Sequence, residues 1–146
     1  AAFVVERGPR ARILHSVMAH HAPGAYGMTL GYDSPSAPIR FEIIDSILFD
    51  MGPIWTSPSA TLSVSHSILH DFPGEILAGQ NPGSPDEYGA GHQSTDPQLD
   101  AQYRPTAGGP AVNRGVALSF DYPMRDKDGQ VRVQGGAPDV GPFEVE

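Results

Sequence analysis

Apolar and polar residues alternate in several short stretches of this chain, and proline or glycine closes nearly every one of them. The clearest runs over residues 61–71, where Leu62, Val64, His66 and Ile68 share one side and Ser63, Ser65 and Ser67 the other. A period of two is what a strand with one buried and one wet face produces. Similar patterns predict strands within residues 3–5, 11–21, 26–32 and 116–122, with a helix as the alternative over 11–21. Asp128-Gly129 predicts a hairpin turn leading into residues 130–133.

The densest apolar run, residues 39–51, holds eight large hydrophobes in thirteen positions and is fenced by Pro38 and by Gly52-Pro53. A run this apolar belongs at the centre of the core. Two periods fit it. As a strand it aligns Ile39, Phe41, Ile43, Ile47 and Phe49, with Asp45 marking a bulge or an edge. As a helix it aligns Ile44, Ile47, Leu48 and Met51, with Gly52-Pro53 as the stop.

Residues 79–115 differ in character, with seven Gly, five Pro and few large hydrophobes beyond Tyr88, Leu99, Tyr103 and Val112. They read as an extended loop or arm, and residues 135–146 as a C-terminal tail. No internal repeat is read. The fold expected is one mainly β domain over residues 1–146, an antiparallel β-sandwich or barrel. Its core would be Phe41, Ile43, Ile47, Phe49, Leu62, Val64, Ile68, Leu118 and Phe120.

Composition narrows the function classes. A length of 146 residues suits one domain. The net charge of −8 argues against nucleic acid, which rewards a basic patch, and the only basic cluster is Arg7, Arg10 and Arg12. With no cysteine, disulfides, thiol catalysis and thiolate zinc sites are excluded. No apolar run reaches the roughly 18 residues of a membrane helix, and residues 1–7 lack the pattern of a signal peptide.

Chemistry is thinly marked. Of six histidines, His66 and His70 with Asp71 resemble half a metal site. On one straight strand those rings would stand roughly 13 Å apart, at about 3.4 Å per residue, too far for one ion. In a helix they would share a face. No nucleophile elbow or phosphate loop is present, and Asp45 and Asp50 read as surface acids. No cofactor is expected.

Trp55, Tyr88 and Tyr103, with Arg7, Arg10 and Arg12, are the candidate interface residues. Extended arms need contacts to hold them. The expectation is therefore a non-enzymatic structural subunit, packed against copies of itself or a larger assembly, such as a virion accessory protein in capsid decoration or a head–tail joint. Two alternatives are a metal-dependent small β-barrel enzyme using His66 and His70, and a glycan-binding β-sandwich stacking sugars on Trp55 or Tyr88.

Overall fold

The computed structural model describes residues 2–5, 10–19, 28–30, 39–52, 54–56, 60–71, 87–118 and 124–145. Its strands are β1 (Ala2–Val5), β2 (Arg10–Leu14), β3 (Val17–Ala19), β4 (Met28–Leu30), β5 (Ile39–Ile44), β6 (Ile47–Phe49), β7 (Ile54–Thr56), β8 (Ala60–Ser65), β9 (Ile68–His70) and β10 (Glu87–Tyr88). Three sheets take them in rotation, in the orders β1-β2-β5-β8-β10, β3-β6-β9 and β4-β7. The chain thus winds in successive coils: β2-β3-β4 is followed by β5-β6-β7, then β8-β9, then β10, each strand laid beside its counterpart in the coil before. This is a parallel β-solenoid.

The antiparallel sandwich or barrel is overturned. β2-β5, β5-β8, β8-β10, β3-β6, β6-β9 and β4-β7 all pair in parallel. Among the named strands only β1 runs against its neighbour, Ala2 facing Leu14 and Val5 facing Ala11. The alternation was real, but alternation reports a half-buried strand without reporting the direction of the strand beside it. The helix reading of residues 39–51 fails too. That run is β5 and β6, hinged at Asp45 and Ser46.

An internal repeat, absent from the sequence reading, explains the hinge. Leu14-His15-Ser16-Val17, Ile44-Asp45-Ser46-Ile47 and Ser65-His66-Ser67-Ile68 occupy the same corner in three coils. His15, Asp45 and His66 all have positive φ, at 44°, 50° and 46°. One left-handed residue rotates the chain from the first sheet into the second and resets the in–out alternation. In the next coil the corner residue is Gly91, at φ 74°. A Cβ there would lie 2.6 Å from Cδ2 of His66, so only glycine lets that ring settle against the following coil.

The serine beside each corner residue forms a ladder between coils. Ser16 N donates to Ser46 Oγ at 3.2 Å, and Ser46 N to Ser67 Oγ at 3.1 Å. Each hydroxyl in turn donates two residues back, to the carbonyls of Leu14, Ile44 and Ser65. All three serines are buried, so the ladder supplies bonds that water cannot.

Inside the coils the register stacks like on like. Ile13, Ile43 and Val64 form one row, Met18, Leu48 and Leu69 a second, and Met28 and Ile54 a third. The second sheet is buried on its outer face as well. Ile47 and Ile68 pack under Ala111 and Val140, with Val17, Phe49 and Leu99 alongside. Parts of residues 87–118 and 124–145, on which most of the expected arm and tail fall, therefore lie over the molecule's own sheet. Leu118 is half-buried in irregular backbone, and Phe120 lies outside the described residues.

Replacing Ser46 with Ala removes the acceptor for the buried Ser16 amide. The expected cost is about 1–3 kcal/mol in urea unfolding. Gly91→Ala should cost a similar amount, through the contact with His66 and the positive φ.

Candidate functional site

Two places gather chemically capable side chains. The first is buried, where the C-terminal segment crosses the corner column. Asp45, wholly inaccessible, accepts from Val116 N with both oxygens, at 2.9 and 3.1 Å. Its own carbonyl accepts from Gly141 N at 2.8 Å. His15 Nε2 stands 3.6 Å from Asp45 Oδ2. Arg132, 3% exposed, donates to the carbonyls of Gly141 and Pro142 and to Glu144 Oε1. Asp139 accepts from the amides of Asn113 and Val145, and Glu144 from that of Asp139. Asp126 accepts from the amides of Asp128, Gln130 and Glu144.

Loss of water dominates the electrostatics here. Burial raises Asp45 to about 7, against the opposing pull of the Val116 amide and of Arg132. Burial likewise lifts Glu144 to about 7, against the opposing pull of the Asp139 amide and of Arg132, and raises Asp139. Burial and the nearby Arg132 lower His15 to about 3, so it is neutral at ordinary pH. Carboxylates shifted in this way often mark acid–base machinery. These are sealed, however, and a proton carrier must reach its substrate. Their oxygens are turned to main-chain amides instead, which makes the group a clasp holding the C-terminal segment to the corner.

The second place is open. Two clefts, of about 330 and 270 Å³, share Tyr103 in their linings. Gln102, Lys127 and Phe143 line one; Phe49, Asp96 and Asp100 line the other. Tyr103 is 40% exposed, and its ring lies 6.2 Å from that of Phe49 at 48°. Arg104 and Lys127 sit over Phe143, 4.3 and 5.2 Å from its centroid.

The loop carrying Tyr103 has a near twin. Asp100 Oδ1 accepts from the amides of Gln102 and Arg104, and Asp126 Oδ1 from those of Asp128 and Gln130. Antiparallel bridges flank the two loops, Leu99 with Pro105 and Arg125 with Val131. An ion pair between Arg104 and Asp128 ties them together. The third residue after the aspartate has positive φ in both. It is Gly129 at 84° in one loop and Tyr103 at 62° in the other.

The residues singled out from sequence are scattered. Arg10 and Arg12 contact Glu42 at 2.7 and 2.8 Å, with Arg40 at 3.2 Å. Burial would raise Glu42, but the bonds from Arg10 and Arg12 overcome it and hold it below its usual value. Trp55 is half-buried in β7. Tyr88 lies in β10, opposite Val64, and Arg7 falls outside the described residues. His66 is a corner residue, while His70 ends β9 with Nδ1 3.3 Å from the Ser94 carbonyl oxygen. Among the described residues no cluster of three or more His, Asp or Glu could hold a metal ion.

Sequence reasoning missed the clasp. Asp45, taken for a bulge or a surface acid, carried one usable signal, its place in the His/Asp-Ser repeat. Nothing local marks Arg132, Asp139 or Glu144. Comparison with protein-family models, with curated proteins and with solved structures finds no match.

The clasp sets a pH dependence. Asp45 keeps its proton in the fold up to about pH 7, whereas the unfolded chain ionises near 3.8. Between those values the native state binds more protons, so this group's contribution to stability declines as pH rises. His15 works in the opposite sense between about 3 and 6.5, where the unfolded chain takes up the proton. Asn keeps an acceptor for Val116 and tolerates positive φ. Asp45→Asn should therefore match the parent near pH 4 and gain on it steadily towards pH 7.5, read from urea midpoints. Asp45→Ala should lose about 1–3 kcal/mol, because the Val116 amide is left without its acceptor.

Proposed function

We propose that the chain is a non-enzymatic structural subunit that works through contacts with other protein chains, copies of itself first among them. One observation carries the reading. On the hairpin formed by residues 124–133, Arg132 turns inward to the clasp, while its neighbours Val131 and Val133 are 53% and 42% exposed. Met124, whose carbonyl accepts from Arg132 N, is 72% exposed. Three large apolar side chains thus stand in solvent on a hairpin fixed from beneath by a buried guanidinium. Apolar groups displayed on a rigid support are the usual core of a protein contact.

Two further features support this reading. The buried carboxylates are committed to main-chain amides, which leaves them out of reach of any substrate. In addition, among the described residues no strand pairs with the outer edge of β3 or β4. Open edges of this kind accept a strand from another chain. Self-association fits the solenoid, where every coil already offers its successor the same register.

Light scattering across a dilution series tests the proposal. Assemblies larger than one chain are expected, and Val131→Glu with Val133→Glu should reduce them to single chains without lowering the unfolding midpoint. A parent that stays monomeric at its highest soluble concentration, and captures no other protein chain through this hairpin, overturns the reading.

A further inference from the structure

We propose that the two clefts sharing Tyr103 form a binding site for a neutral oligosaccharide, with the tyrosine ring as its stacking platform. The twin loops single out this residue. Where their shared design requires a left-handed residue, one loop uses Gly129, which adopts it without strain, and the other uses Tyr103. A bulky aromatic at positive φ is a backbone outlier, and such outliers persist where the surroundings hold a side chain in place for a purpose. Contact with Phe49 accounts for one part of the ring, and 40% of the residue still faces solvent.

The surroundings specify the ligand class. Each cleft lies at or just below the small end of ligand sites, roughly 300–1,000 Å³, and suits a single ring. Apolar surface comes from Tyr103 and the half-buried Phe49, with Phe143 buried beneath Arg104 and Lys127, and polar groups border it. Asp96 and Asp100 each turn Oδ1 to their own loop's amides. Their second oxygens accept no hydrogen bond among the described residues and can take hydroxyl donors. Gln102 and Lys127 offer donors in the larger cleft. Aromatic faces for C–H surfaces, together with carboxylates and an amide for hydroxyls, match a polyol ring. Nucleobases would also stack, but their phosphates would meet Asp96 and Asp100 on a chain of net charge −8. An anionic sugar faces the same repulsion.

Neutral tetrasaccharides of the cello, chito, malto and manno series, displayed on an array and followed by titration calorimetry, form the test panel, with an oligouronate and a mixed peptide library beside them. At least one neutral series should bind saturably. Tyr103→Gly should weaken it tenfold or more, while Tyr103→Phe retains it. Should Tyr103→Gly lower the unfolding midpoint, Asp96→Asn and Lys127→Ala leave the loop bonds in place and should each weaken binding severalfold. Absence of saturable binding throughout the neutral panel overturns the proposal. So does binding confined to the oligouronate or the peptides, or neutral binding untouched by all these losses. Because the readout is affinity per chain, the outcome is separate from that of the self-association experiment.

Discussion

Everything in this molecule depends on coils lying in register upon one another. A parallel strand has no partner in its own coil, so its amides and carbonyls are satisfied only by the coils before and after. The same registry places Ile13 on Ile43 on Val64, and Ser16 on Ser46 on Ser67. A slip of one residue would send the apolar row outward and the polar row into the core. The left-handed corners at His15, Asp45 and His66 prevent that slip, because each fixes where one sheet ends and the next begins.

The C-terminal segment follows from this constraint. Ile47 and Ile68 point away from the coil interior and would be exposed on a bare solenoid. Ala111, Val140 and Leu99 cover them. What holds that cover is polar, since amides of the returning segment find acceptors on Asp45, Asp139 and Asp126. One guanidinium, Arg132, sits among several carboxylates, and burial raises Asp45, Asp139 and Glu144 above their ordinary values. The cover is therefore fastened by main-chain dipoles more than by ion pairs, a cheaper arrangement away from water.

Strand positions were largely legible from sequence, and architecture was not. The alternation at Leu62, Val64 and Ile68 located β8 and β9, and the apolar run at residues 39–51 located β5 and β6. Direction lies outside what alternation records, so the parallel order went unread. The repeat was visible in principle as His-Ser-Val, Asp-Ser-Ile and His-Ser-Ile. It was obscured because its spacing changes, with 30 residues from Ser16 to Ser46 and 21 from Ser46 to Ser67. The clasp was illegible for another reason. It joins Asp45 to residues 71 and more positions away, and no local pattern encodes a contact of that range. Tyr103 was picked out as an isolated aromatic, while the backbone outlier that makes it unusual needed coordinates.

The uneven coil lengths have a further consequence. Between β2 and β3, β5 and β6, and β8 and β9 the chain spends two residues every time, whereas the links from β3 to β4 and from β6 to β7 are eight and four residues long. The two-residue corner acts as a ruler, and the variation in spacing falls in the links outside it. Links of eight and of four residues serve the same rungs, so a change of length there leaves the scaffold its pitch.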